Sequence, residues 1–243
     1  MEIIQQYYEY CQQLLKDTAQ DEASSMQQAA RLMSDACLQG GRIYVFGSGH
    51  SHIMAEEVYA RAGGLALIKP ILPTELMVID FPRKSTGIER LSGYSAALLE
   101  HYNLDAKDVI VIISNSGRNA VPVEMAEAAR KKGAKIIALT SLDHSKKTDS
   151  RAPSGKKLYE LADVVIDNHA PKGDAAFYID GCKTPAGPVS DFLGIFIMEA
   201  LVVQVSQNLM EAGMEPPLFT SSNLDEGDAR NEELFSTYYG YWK

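Results

Sequence analysis

The chain has 243 residues, 46% of them apolar, and 32 acidic against 23 basic side chains give a formal net charge of −9. That length suits one domain or one and a half, within the range of single α/β domains, and the apolar share allows a sizeable core, so disorder is not the default. The acid excess argues against a nucleic-acid partner, whose phosphates demand a basic face.

The first forty residues read as helix. Ile3, Tyr7, Tyr10 and Leu14, and then Met26, Ala29, Ala30, Met33 and Cys37, recur at three- and four-residue steps, and Gly40-Gly41 supply the stop. Short apolar runs follow at 43–46, 65–68, 76–79, 109–113, 136–139 and 164–166, each with a helical pattern or a turn after it. Several are apolar almost throughout, as strands covered on both faces are, and strands alternating with helices predict parallel βαβ units. A loop at 143–154 is too rich in Ser, Lys and Asp to pack in a core. Residues 187–211 read as one long helix that is apolar around much of its girth. It is either the innermost helix of a monomer or a subunit interface. From Pro216-Pro217 onward there is no clear periodicity, but Phe219, Phe235, Tyr238, Tyr239, Tyr241 and Trp242 predict a tail lying over its own or a neighbour's surface. No apolar run approaches the ~20 residues needed to span a bilayer, so no membrane partner is expected. The first residues lack the basic region of a signal peptide, which predicts a cytoplasmic protein. Cys11, Cys37 and Cys182 are odd in number and form no CxxC pair, against a disulfide framework or a structural zinc site.

Two turns carry the functional signal, those after the first and fourth predicted strands. One reads Gly47-Ser48-Gly49-His50-Ser51-His52 and the other Ser114-Asn115-Ser116-Gly117-Arg118-Asn119. Each is a small, hydroxyl-rich, Gly-containing loop between a buried strand and a helix. A helix N-terminus offers unpaired N–H groups and the positive end of its dipole, glycine lets the backbone approach an anion, and serine adds rotatable donors. Both loops lie at the carboxyl ends of strands, where open parallel sheets bind ligands. The dinucleotide fingerprint fails because His52 stands where the third small residue belongs, and Ser154-Gly155-Lys156-Lys157 lacks the Ser or Thr of a Walker A motif. A small phosphorylated ligand therefore fits better than NAD or ATP.

These two loops resemble the signature loops of the SIS (sugar isomerase) family of phosphosugar-binding α/β domains, with similarity over about residues 20–210. Among its members the chain is most similar to stand-alone proteins near the phosphoheptose isomerases. The resemblance implies a three-layer sandwich around a five-stranded, mainly parallel, flavodoxin-like sheet. It also implies a homodimer or homotetramer whose site a neighbouring subunit often completes. The expected organisation is N-terminal helices at 1–40, a phosphosugar-binding domain at 41–212 and an aromatic tail at 213–243. Carried onto matching positions, Ser48, Ser51, Ser114, Ser116 and Asn119 would contact phosphate or sugar, with Gly47, Gly49 and Gly117 keeping the backbone close. Asn115 belongs to the same loop, and Thr140 and Ser141, ending the next strand, sit where the family often completes the pocket. The pattern also departs from phosphoheptose isomerases. Their glutamate after the first loop falls on Arg61 in a gap-free count, and no histidine follows His169 to match their C-terminal catalytic one. Fold and ligand class follow from the resemblance, whereas heptose-isomerase activity does not.

Aldose–ketose isomerisation needs a base beside a carbonyl and an acid at the enediol oxygen, both titrating near neutrality. Glu89, expected to begin a helix after the loop at 81–86, is the candidate base. The plainer account is a first-turn acid favoured by the helix dipole. His144 is the candidate acid/base partner, or else a solvated loop histidine. His50 and His52 form an HxH pair, but no third and fourth ligand can be named, so no metal and no cofactor are expected. His50 is instead assigned a donor role to phosphate or sugar. Arg118 either grips phosphate or points to solvent, and Arg151 and Lys156 are further cations for an anionic substrate. The expected function is a sugar-phosphate isomerase working through an enediol. A phosphosugar lyase and a non-catalytic phosphosugar sensor are the alternatives, since fold alone does not choose between them.

Overall fold

The architecture is that of a computed structural model, which describes residues 2–79, 81–225 and 227–239. In chain order the elements are α1 (Ile3–Asp21), α2 (Ala23–Leu38), β1 (Ile43–Gly47), α3 (His52–Glu57), β2 (Ile68–Ile71), α4 (Pro82–Ile88), α5 (Tyr94–Leu99) and β3 (Val109–Ile113). They continue with α6 (Ala120–Lys131), β4 (Lys135–Thr140), α7 (Leu142–Lys146), β5 (Val164–Asp167), β6 (Ala175–Phe177), β7 (Ala186–Pro188), α8 (Ser190–Glu211) and α9 (Gly227–Tyr239).

Five strands form one sheet in the order β2-β1-β3-β4-β5, and every neighbouring pair is parallel. Along β1, β3 and β4 the side chains alternate between two buried layers. Ile43, Val45, Val109, Val111, Ile137 and Leu139 face the core formed with α2, α3 and α8. Tyr44, Phe46, Ile110, Ile112, Ile136 and Ala138 face the core formed with α5 and α6. Covering on both faces is why these strands are apolar throughout, and it makes the expected three-layer α/β sandwich. Each side chain taken fully out of water contributes about 1.5–3 kcal/mol, so the central strands are where the fold is held most firmly.

Several sequence expectations need correction. The run at 76–79 is not a strand: residues Thr74–Leu76 form a 3₁₀ turn after Pro73, with Leu76 buried and Ile79 exposed. The strand expected at 65–68 is displaced to β2, and the residues before it pair instead with the chain near Leu218. Pro70 is tolerated within β2 because that strand is an edge, bonded to β1 alone. The long helix begins at Ser190, because residues Ala186–Pro188 turn back on β6 as a hairpin that periodicity gave no sign of. Helix α8 is also long and apolar enough to cross a membrane, which the sequence reading overlooked. Here it lies between α2 and α3 with Leu193, Ile197, Leu201 and Val205 buried. All three cysteines are free thiols.

The C-terminal stretch, expected to be aperiodic, includes α9. Phe219, Leu234 and Tyr239 pack with Ala66, and the Tyr239 hydroxyl donates to the Ile68 carbonyl at 2.7 Å. The tail thus lies along the β2 edge of its own sheet, while Tyr241 and Trp242 fall outside the described residues.

Candidate functional site

In the order 2-1-3-4-5 the chain path reverses between β1 and β3, so the loops that follow these two strands diverge and leave a crevice at the carboxyl edge. Both glycine- and serine-rich loops open from it. Gly47 is in register with Ile113, which sets the loops side by side at one level. Because 76–79 is not a strand, the second loop follows the third strand rather than the fourth.

In the first loop, the chain after Gly47 folds straight back over it. A Cβ there would stand 2.3 Å from the Ser51 carbonyl oxygen, so only glycine fits. Ser48 is buried and its hydroxyl donates to Glu89 Oε1 at 2.8 Å. His52 is buried too, its Nδ1 against the Gly49 carbonyl, which makes it a local turn residue. His50 is exposed and Ser51 half-buried, on the rim near Asp191.

The second loop is braced from below. Gly117 sits at φ +56°, and a Cβ on it would press on Leu158 and Ser145 at 3.2 Å. Ser114 Oγ accepts from the Gly117 N–H at 3.2 Å, while Asn115 Oδ1 accepts from Asn168 at 3.1 Å. Ser116 is half-buried and makes no intramolecular hydrogen bond among the described residues. Asn119 stands at the N-cap position of α6 but its side chain does not bond to that helix; its Nδ2 donates to Glu89 Oε2 at 2.9 Å and its Oδ1 accepts from Arg151 Nη1 at 3.3 Å.

Glu89 therefore joins the two loops, one carboxylate oxygen to each. It does not begin a helix. Pro82, at the first helical position, starts α4 seven residues earlier, and Glu89 follows the last turn, with its carbonyl accepting from the Val121 N–H of α6 at 3.1 Å. The dipole account of this acid accordingly lapses, since a helix C-terminus favours cations. Burial raises the Glu89 pKa, and the Ser48 and Asn119 donors offset only part of that rise.

Thr140 and Ser141 are brought beneath the second loop rather than into the crevice. Both are fully buried. Thr140 Oγ1 donates to the Ser114 carbonyl at 2.7 Å, while Ser141 caps α7, accepting from the His144 N–H at 3.0 Å and donating to Ala170 at 2.5 Å. Their hydroxyls are spent on the backbone, so their place is to brace the loop and not to touch ligand. His144, on α7, is half-buried, and its Nδ1 accepts weakly from the Gly173 N–H at 3.5 Å. Burial lowers its pKa, with the Lys172 and Arg118 charges adding to the effect, which favours the neutral ring, and the Gly173 contact assigns its proton to Nε2. It makes no contact with Glu89 among the described residues.

Arg118 donates from Nε to the Asp149 carbonyl at 2.7 Å, and the Arg151 N–H donates to the Arg118 carbonyl at 2.7 Å. The loop at 148–157 is thereby fastened to the rim of the second loop. Lys156 is exposed, whereas Lys157 is buried against the Ser145 and Thr148 carbonyls. Arg61 lies apart, paired with Glu57 and with Glu199 at 3.7 Å. Asp174 holds the start of α8 through the Val189 and Ser190 N–H groups. Among the described residues no group of three or more His, Cys, Asp or Glu side chains is placed to hold a metal ion. Sequence reasoning named Glu89 and Asn119 but gave no sign that they bond to each other.

A family model for the SIS domain matches residues 6–141. The UPF0309 protein BH3325 of Halalkalibacterium halodurans is 50% identical over 232 residues, covering 96% of this chain and 96% of that one. Among solved structures, the phosphoheptose isomerase GmhA of Neisseria gonorrhoeae superposes with a TM-score of 0.57 at 19% identity, over 84% of this chain and 97% of that one. The sugar isomerase domain of an RpiR transcription factor from Sphaerobacter thermophilus gives a TM-score of 0.50 at 14% identity, over 96% and 95%. At such identities the likeness to both solved structures is one of fold.

Proposed function

We propose that this chain, which belongs to the SIS domain family, binds a phosphorylated sugar in the crevice between its β1 and β3 loops and isomerises it through an enediol. The observation that carries the reading is Glu89, a carboxyl group with a raised pKa held by Ser48 of one loop and Asn119 of the other. A phosphate fits against the Ser114–Asn119 loop, where the α6 N-terminus and the Ser116 hydroxyl supply donors. Gly47, Gly49 and Gly117 keep the backbone near it, and His50 and Ser51 reach the sugar from the first loop. The Glu89 carboxylate then takes the proton from the carbon beside the carbonyl, and that C–H pair becomes the enediol double bond. The neutral His144 gives its Nε2 proton to the carbonyl oxygen. Glu89 then delivers its proton to the former carbonyl carbon while the other enediol hydroxyl returns a proton to His144, which forms the new carbonyl and restores both groups. Glu89 is suited to this because burial brings its pKa toward the operating pH.

The same reading takes 41–212 as the binding domain, with the helices of 1–40 and the tail of 213–243 as its supports, in a cytoplasmic homodimer or homotetramer. Support for self-association comes from α8, whose outward Phe192, Val203 and Met210 remain exposed.

The test is to incubate the protein in D₂O with a panel of pentose, hexose, heptose and amino-sugar phosphates and follow the hydrogen beside the carbonyl by ¹H NMR. An isomerase exchanges that hydrogen with solvent, and Glu89→Gln abolishes the exchange while binding persists. Binding without exchange in the unaltered protein would assign the chain to the non-catalytic sensors. A product lacking a substituent would make it a lyase.

A further inference from the structure

The chain is acidic overall, yet at the mouth of the crevice it assembles three arginines. Arg90 adjoins Glu89, Arg118 belongs to the second loop, and Arg151 reaches Asn119 from the 148–157 loop. Their placement is built. Arg118 Nε is held by the Asp149 carbonyl at 2.7 Å, the Arg151 backbone by the Arg118 carbonyl at 2.7 Å, and Arg151 Nη1 by Asn119 Oδ1 at 3.3 Å. All these acceptors are neutral, and among the described residues no carboxylate forms an ion pair with any of the three. Glu89, the acid between the two loops, already accepts from Ser48 and Asn119. The cations also act on one another: the Arg118 charge, and then that of Arg90, opposes the protonated form of Arg151. The Glu89 carboxylate offsets only part of this repulsion, so holding the like charges together costs stability unless a further anion joins them.

The floor of the crevice is different in kind. Ser48, Ser114 and Asn119 are buried and uncharged, whereas Arg90 and Arg151 are exposed and Arg118 half-buried. One phosphate is accommodated by the hydroxyls and N–H groups of the floor. The arginine forks lie outside Asn119, Arg118 held by Asp149 and Arg151 by Asn119 itself, with most of their donors directed to no acceptor among the described residues. A guanidinium fork matches a carboxylate or a phosphate.

We infer that the ligand is a doubly anionic phosphosugar, whose second group, a carboxylate or a further phosphate, is held at the rim by Arg118 and Arg151. The inference rests on the phosphosugar reading above and adds the substrate's second charge to it.

Calorimetric titration tests it with pairs differing in that charge, fructose 6-phosphate against fructose 1,6-bisphosphate and glucose 6-phosphate against 6-phosphogluconate. At low salt at least one doubly anionic member should bind about tenfold more tightly than its partner. Arg151→Met and Arg118→Met should erase that advantage, weakening the doubly anionic member about tenfold more than its singly charged partner. Because both side chains lie at the surface, urea melts of the variants check that the fold is kept. Equal binding within both pairs, or variants that weaken singly and doubly charged ligands alike, would overturn the inference, since the arginines would then serve the one phosphate. If neither these compounds nor inorganic phosphate binds the folded protein, the phosphosugar reading itself falls and this inference with it.

Discussion

Replacing Glu89 tests both the chemistry and the geometry assigned to it. Glu89→Ala leaves the Ser48 hydroxyl and the Asn119 amide, each largely buried, without their acceptor. A hydrogen bond to an ionised group contributes about 1.5–3 kcal/mol, but Glu89 is itself only half-buried and water can refill the space, so about 1 kcal/mol per bond is the better figure. Against that loss stands relief from burying a carboxylate. The two lost bonds make about 2 kcal/mol the upper bound on the net destabilisation for alanine. Glutamine keeps both contacts, accepting from Asn119 and donating to the rotatable Ser48 hydroxyl, and should fall within about 1 kcal/mol of the unaltered protein. The pH dependence has a definite sign. A carboxyl group whose pKa is raised by folding binds its proton more tightly in the folded state. Its stabilisation is fully present below the ordinary glutamate range and is lost as pH rises through the raised, folded-state value. Urea denaturation of the three proteins across pH 4–8 measures this, and the advantage of the unaltered protein over Glu89→Gln should shrink as pH rises. Two results would refute the reasoning. One is a glutamine variant as unstable as the alanine variant at every pH, which would make Glu89 a structural anion. The other is hydrogen exchange on substrate that survives the glutamine substitution, where a loss of 10²–10⁴-fold is typical of a positioned base.

Four further outcomes follow from the geometry. Gly47→Ala forces a Cβ to 2.3 Å from the Ser51 carbonyl oxygen, so it should lower stability by about 1–3 kcal/mol and abolish phosphosugar binding, as read by urea melts and titration. Ser141→Ala removes the α7 cap and should cost about 1 kcal/mol with ligand affinity unchanged, whereas Ser116→Ala should weaken the ligand and leave stability alone. The reverse pattern would put Ser141 in the crevice. Tyr239→Phe loses the bond to the Ile68 carbonyl, an expected drop of about 1 kcal/mol that reports whether α9 stays docked on the β2 edge in solution. Light scattering should give a multiple of the chain mass, and Val203→Asp on the outward face of α8 should reduce it to the monomer; a monomer from the outset would remove the oligomer proposal.

The apolar runs at 43–46, 109–113 and 136–139 announced a sheet covered on both sides, because a strand between two helical layers has no face on which to carry polar residues. The two loops were equally plain, since glycine and serine beside a strand end are dictated by local backbone geometry and donor chemistry. Other features could not be read that way. The apolar residues of 76–79 look the same whether they pair in a sheet or fill the space beside a turn. The β6–β7 hairpin is too short and irregular for periodicity to register. Thr140 and Ser141 carry the right chemistry for a ligand site, but burial and backbone acceptors decide how hydroxyls are used. Glu89 shows the division most clearly. Composition marks it as an acid near a loop, yet its partners lie 41 and 30 residues away in sequence and meet it only because β1 and β3 are neighbours. Local sequence determined the central strands β1, β3 and β4 and the two glycine- and serine-rich turns after β1 and β3, because those depend on nearby backbone and side-chain preferences. The order of strands in the sheet decided which polar groups face each other, because a hydrogen bond between distant residues depends on the path of the chain between them.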